Sequence, residues 1–184
     1  MSATITEITL FGGPGTGTTS SGMIIAERLG LTFHSTGNMF RKLATDKGLE
    51  LFELEELAKT DPSIDLTIDD RMRHLQMHGS KFLVDSRLAW HFIPRSFKIC
   101  FHCTEEMAAL RISRRDKISL DEARTKNALR SAILAERAWI HYGIEDLFNF
   151  GNFDIVIVTD DGNSEQMAEK CIRQILQHPE LTAI

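Results

Sequence analysis

Gly12-Gly-Pro-Gly-Thr-Gly-Thr-Thr19 is the segment that leaves this chain the fewest options. It follows an apolar run, Ile5–Phe11, that reads as a strand. It precedes Ser20–Leu29, where Met23, Ile24, Ala26 and Leu29 fall at helical spacing before a stop at Gly30. A glycine-rich turn from strand to helix lets successive backbone N–H groups point at one spot, and the helix adds the positive end of its dipole. The segment matches the phosphate-loop pattern G-x-x-x-x-G-K-[ST] except that Thr18 stands in the lysine position. Gly12, Gly13, Pro14, Gly15, Thr16, Gly17, Thr18 and Thr19 are therefore the candidate triphosphate cradle, with the Thr19 hydroxyl placed for Mg²⁺. A dinucleotide fingerprint does not fit. No G-x-G-x-x-G is completed, and the second strand ends in Phe33-His34-Ser35 without an acid for a ribose.

Strand-like runs alternate with helical patterns along the rest of the chain. Leu31–His34, Lys81–Asp85, Phe97–Cys103 and Asp154–Val158 read as strands, the last a β-branched run of the kind buried on both faces. Thr36–Lys47 and Glu50–Lys59 read as helices parted by Gly48, and Asp61-Pro62 starts another from about Ser63 to His78, before Gly79. Thr104 caps a helix through Arg115, Ser119 to Glu122 form a capping box opening a helix to Tyr142, and Asn163 with Gln166 caps one ending near His178-Pro179. Five strands with intervening helices predict a parallel sheet covered on both faces, in a single domain.

Size and charge narrow the function classes. A chain of 184 residues is close to one α/β domain, and three cysteines do not make a disulfide framework. No apolar run nears the ~20 residues of a membrane span, and Met1 to Glu7 show no signal-peptide pattern, so a cytoplasmic location is expected. The net charge of −5 argues against a nucleic-acid polymer as partner. Yet Arg111 to Arg137 holds eight basic and four acidic residues, leaving that stretch at +4 and the remainder at −9. Such a cluster suits a compact polyanion, or else a solvated helix face with charge pairs.

Ligands of open α/β sheets lie at the carboxyl ends of strands. The glycine loop, Ser35 and Asp85-Ser-Arg87 all fall there. Asp85 suits the acid that holds Mg²⁺ through water, and Arg87 can fork onto an acceptor phosphate. Arg41, on the helix after Ser35, faces the same crevice.

Five segments carry a wider resemblance: Ile8 to Thr19, Ser35-Thr-Gly-Asn-Met-Phe-Arg41, Asp61-Pro-Ser-Ile-Asp65, Val84-Asp-Ser-Arg-Leu-Ala-Trp90 and Tyr142-Gly-Ile-Glu145. Together they resemble the archaeal-type cytidylate kinases, a branch of the P-loop nucleoside monophosphate kinases, over nearly the whole chain. The resemblance implies a three-layer fold with a five-stranded parallel sheet, an acceptor-binding helical region at about 36–79 and a helical lid at about 111–137. It implies phosphoryl transfer from ATP, with Mg²⁺, to a nucleoside monophosphate, CMP or dCMP first. Ser35, Arg41, Asp85 and Arg87 then resemble the acceptor-side and metal-side residues. Arg111, Arg114 and Arg115 look like lid arginines over the triphosphate. Arg130 and Arg137, two helical turns apart, resemble the pair that reaches the acceptor and donor phosphates. The chain departs from the family pattern at Thr18 for lysine, Asn38 for aspartate and Ser86 for glycine, and carries Ala132, Ile133 and Leu134 between the two arginines. Another small-molecule P-loop kinase, or a nucleotide binder without transferase activity, are the alternative readings. Oligomeric state is left open between monomer and higher forms.

Three other signals have plainer readings. Cys100 and Cys103 match C-x-x-C, but residues three apart on a strand point to opposite faces, so core thiols are expected. His74 and His78 are a helical turn apart without a third metal ligand at a recognisable spacing. Trp90 and Trp139 read as packing or interface residues before base-stacking ones.

Overall fold

The computed structural model describes residues 5–77 and 81–178. The first strand, β1 (Glu7–Gly12), runs into the glycine loop and α1 (Thr18–Leu29). There follow β2 (Thr32–Ser35), α2 (Thr36–Lys47), α3 (Leu51–Leu57), α4 (Pro62–Met77) and β3 (Phe82–Asp85). A one-turn helix α5 (Ala89–Phe92) precedes β4 (Phe97–His102), α6 (Glu105–Asp116) and α7 (Leu120–Tyr142). A 3₁₀ turn (Phe150–Asn152), β5 (Ile155–Val158) and α8 (Ser164–Gln177) complete the order.

All five strands are parallel, in the order β2-β3-β1-β4-β5. The expected parallel sheet between helical layers is thus found. On one face, Ile25 and Ala26 of α1 and Met167, Ala168, Cys171 and Ile175 of α8 pack on Ile8, Leu10 and Ile99. On the other, Leu134 and Ala138 of α7 close over Phe11 and Cys100, while Met72 of α4 covers Phe82 and Val84. Burying these apolar side chains against the sheet is worth roughly 25 cal/mol per Å² removed from water. Gly22 is where α1 comes nearest: a Cβ there would lie 2.9 Å from the Phe33 ring. Two further small cores serve the outlying parts. Ala44, Leu54, Ala58 and Ile64 knit α2, α3 and α4, and Ala109, Ile112 and Ala123 join α6 to α7.

The expected N-caps form, though the box at Ser119 closes only in its first half, with Glu122 paired to Lys126. The Thr104 hydroxyl accepts from Met107 N–H, that of Ser119 from Glu122 N–H, and Asn163 and Gln166 cap reciprocally. Two features differ from expectation. β5 pairs with β4 alone, at the sheet edge: Ile155 and Ile157 pack into the α1–α8 core and Val156 into the α7 side, but its last residue, Val158, is half exposed. A β-branched run reports strand preference, whereas burial depends on neighbours the run does not encode. The short α5 was absent from the sequence reading, since one turn has no periodicity to detect. The expected end of α4 at His78 and Gly79, and Pro179 after α8, lie outside the described residues. Among the described residues no helix is long and apolar enough to cross a membrane.

Candidate functional site

The glycine loop is braced before any ligand arrives. Gly15 and Gly17 hold φ values of 86° and 88°, a region that side-chain-bearing residues avoid. At Gly15 a Cβ would also sit 2.6 Å from the Ala108 carbonyl, so α6 rests directly on the loop. The Thr16 hydroxyl donates to Gly13 O at 2.7 Å, and Thr159 Oγ1 donates to Thr16 O at 3.0 Å. Arg111 donates to Gly15 O at 3.3 Å and to the Thr159 carbonyl. It is a strut between the loop and the end of β5. Thr18, in the lysine position, is buried, with its methyl turned against the Gly12 backbone.

Parallel pairing brings the metal-side residues together. In register, Ser35 of β2 and Leu10 of β1 flank Asp85 of β3. Thr19 Oγ1 donates to Asp85 Oδ2 at 2.6 Å, and Ser35 Oγ donates to the same oxygen at 3.1 Å. This is an oxygen-only set of two hydroxyls and a buried carboxylate. A hard cation such as Mg²⁺, which keeps several waters and takes one or two carboxylates, fits it.

Around Asp85 gathers a group of arginines. Arg87, just past β3, lies 3.7 Å from Glu55 Oε1 of α3. Arg130 of α7 forks onto the same carboxylate at 2.9 and 2.8 Å. Burial first, then the Arg130 charge, push Arg87 down to about 10, against the pull of Glu55 and Asp85. Arg41 of α2 is lowered too, by burial and then by Arg115 and Arg130. Burial would raise Glu55, but Arg130, with Arg87 and Arg137 behind it, brings it below its ordinary value. Guanidiniums whose charged forms are penalised by burial and by one another make a strong anion site. Each rests meanwhile on a neighbour: Arg41 donates to Asn38 Oδ1 at 2.5 Å and Arg115 forks onto Asp116 at 2.7 and 2.9 Å.

The other basic residues are placed differently. Arg114 is exposed. Arg137 is buried, donates to both oxygens of Asp65 on α4, and lies 5.1 Å over the Phe40 ring. Its neighbours in the ladder along α7 are Lys59–Glu136 at 2.9 Å and the Tyr142 hydroxyl donating to Asp69. Arg130 thus stands with the crevice arginines, while Arg137 docks α4 on α7 yet remains near enough for its charge to bear on Glu55 and Arg87.

Several departures from the family pattern acquire roles. The Ser86 hydroxyl accepts from Leu88 N–H and Ala89 N–H, both at 3.2 Å, and so starts α5. Ile133 and Leu134 face the core. Trp90 packs beside Phe153 and donates to Arg87 O at 3.2 Å, while Trp139 is exposed. Cys100 and Cys103 are free and buried, and burial pushes Cys100 up to about 12. Of the histidine pair, His78 lies outside the described residues. A cleft of about 630 Å³ opens between Pro14, Phe101, Asn127 and Phe148, apart from Asp85 and Arg87, which do not line it. Glu55 and Asp65, the carboxylates that hold Arg130 and Arg137, were given no role in the sequence reading. Their partners lie 75 and 72 residues away.

Comparison with known proteins bears on the family and the fold. Residues 11–127 match the family model described as an AAA domain. The chain is 33% identical to a cytidylate kinase of Methanothrix thermoacetophila over 91% of its own length and 98% of that protein. It is 35% identical to a cytidylate kinase of Methanocella arvoryzae, over 91% of this chain and 95% of the relative. Among solved structures, shikimate kinase from Bacteroides thetaiotaomicron superimposes with a TM-score of 0.63 at 12% identity, covering 95% of this chain and 98% of that one. That likeness concerns the fold alone.

Proposed function

The chain belongs to the cytidylate kinase family of P-loop nucleoside monophosphate kinases, and from that premise we propose that it moves the γ-phosphoryl group of ATP onto CMP or dCMP. The observation that carries the acceptor reading is that Arg87, two residues past the carboxyl end of β3, shares the Glu55 carboxylate with Arg130, with Arg41 close enough to both Arg130 and Asp85 to feel their charge. A dianionic acceptor phosphate relieves their mutual repulsion, which no neutral acceptor does.

In this reading the loop amides and the first turn of α1 hold the donor phosphates. Thr19 and Asp85 would hold Mg²⁺, which when bound neutralises charge on the donor phosphates. Arg87 and Arg41 orient the acceptor phosphate. Arg130, which shares Glu55 with Arg87, reaches the acceptor phosphate as well, and with Arg115 faces the space where charge spreads during transfer. The chain's work is positioning and charge neutralisation, with no covalent intermediate. The residues near 36–79 form the acceptor side and 111–137 the cover, both resting on one core domain.

A panel of CMP, dCMP, UMP, AMP and GMP in a coupled ADP-release assay tests the assignment. CMP or dCMP gives the highest kcat/KM. A non-nucleotide acceptor would make the chain a different P-loop kinase, and ATP binding without any acceptor would make it a binding protein.

That last reading leans on Thr18. Its methyl lies against Gly12 inside the loop. With guanidiniums already supplying charge, a further cation adds repulsion rather than attraction. Thr18→Lys therefore leaves CMP-dependent ADP release unchanged or lowers it, at fixed Mg²⁺ and salt. An inactive wild type awakened by the lysine would sink the kinase assignment.

Amide exchange checks the cover. The α6–α7 turn is tied mainly by its small apolar core and by exposed pairs such as Arg124–Glu106. Exchange over residues 113–125 is fast in the free protein and slows when both substrates are bound, while the last turns of α7, held by Asp65, are slow throughout. Equal protection with and without substrates would leave this stretch a static helix surface.

A further inference from the structure

Glu55 is an unexpected acid. On α3, Glu53 is exposed and Glu56 half-buried, whereas Glu55 is only 5% exposed. It is the carboxylate on which Arg130 forks and beside which Arg87 rests. Burying a carboxylate is costly unless cations fully pair it, and here the two cations are those the reaction needs for its acceptor. The metal side has its own acid in Asp85. Phosphoryl transfer asks for no second acid at the acceptor arginines, so Glu55 either holds α3 in place or acts on what can bind.

We propose that Glu55 is a charge filter that makes the acceptor site specific for dianionic phosphomonoesters: it occupies Arg87 and Arg130 so that only a doubly charged group displaces it. Exchanging Glu55 for another singly charged anion replaces one −1 group on the two guanidiniums by another. It gains no Coulomb energy, and it strips water from the newcomer. A phosphomonoester brings two charges and three acceptor oxygens to the same pair, and its fork geometry matches guanidinium donors. Glu55 then leaves for the solvent edge of α3. A carboxylate or a phosphodiester fails at the exchange even where its shape fits. The proposal rests on the reading above only in taking the Arg87–Arg130 crevice as the acceptor side.

The experiment follows the Nε–Hε resonances of Arg87 and Arg130 while the protein is titrated at constant pH with methyl phosphate, dimethyl phosphate and acetate. Wild type binds methyl phosphate, with dimethyl phosphate and acetate at least ~100-fold weaker. Glu55→Gln keeps the shape and one acceptor oxygen but not the charge. In this variant acetate and dimethyl phosphate gain affinity, and the preference for the dianion falls by at least ~10-fold. Glu55→Asp keeps the charge and keeps the preference, which a purely structural role for the longer side chain would not. An unaltered preference in Glu55→Gln overturns the proposal. So does a wild type that binds acetate as well as methyl phosphate, an outcome that needs no variant to fold. These titrations use neither ATP nor turnover. A filter present in a protein that phosphorylates none of the nucleotide panel points to another phosphomonoester acceptor. An active nucleotide kinase without the filter retains its function and loses only this role for Glu55.

Discussion

Arg87→Ala lowers kcat/KM for the acceptor at least ~10²-fold, the loss seen when one preorganised donor to a developing charge is removed. Arg87 sits two residues beyond Asp85 and shares Glu55 with Arg130. Its charged form is held in place against burial and a like charge, so a phosphate that takes over from Glu55 meets a guanidinium already in position. Lysine does not rescue it, because a point charge cannot reproduce the planar fork. Steady-state kinetics with the acceptor varied at saturating ATP give the number. Melting temperature within a few degrees of wild type shows that the loss is local. Wild-type kinetics in the alanine variant would remove Arg87 from the site.

Asp65→Ala has the larger effect on stability. It leaves the Arg137 guanidinium buried, with its cation–π neighbour Phe40 and without its carboxylate. Removing one partner of a buried pair costs about 3–5 kcal/mol, because the remaining charge is stranded in a medium of low polarity. For a chain of this size that is a fall in melting temperature on the order of 10 °C. The double variant Asp65→Leu/Arg137→Met regains most of the loss, since neither charge is then left behind. Denaturant midpoints for the three proteins check it. An Asp65→Ala protein as stable as wild type would mean that solvent reaches Arg137 after all.

How much of this could be read from the residues depended on how local each cause was. The glycine loop, the caps at Thr104 and Asn163 and the strand-end placement of Ser35 and Asp85 are short-range patterns, and each was legible. The edge position of β5 was not, because its sequence is that of a strand and only the sheet order decides which strand is last. Glu55 was invisible for a related reason. Leu51-Phe-Glu-Leu-Glu-Glu-Leu57 reads as a short helix with a solvated acidic face, and what buries Glu55 is an arginine on a helix far along the chain. Arg130 and Arg137 were recognisable as two residues on one face of a helix. That one meets Glu55 in the crevice and the other Asp65 in a buried pair was set by α3 and α4 packing against α7, which no spacing within α7 specifies.

The ladder along α7 has a mechanical meaning. A helix of 23 residues is a rod of about 35 Å. One end carries the turn to α6, whose backbone touches the glycine loop at Gly15, and the other is fastened to α4 through Asp65 and Asp69. Glu55 grips it in between. A stiff rod held at separate points conveys a tilt at one end to the other, so on the proposed function closure over the donor and seating of the acceptor would draw on the same motion. Thermodynamic linkage then requires symmetry: by whatever factor the donor tightens the acceptor, the acceptor tightens the donor. On the proposed function, the two substrates would then bind as a pair, with water shut out only when both are in place.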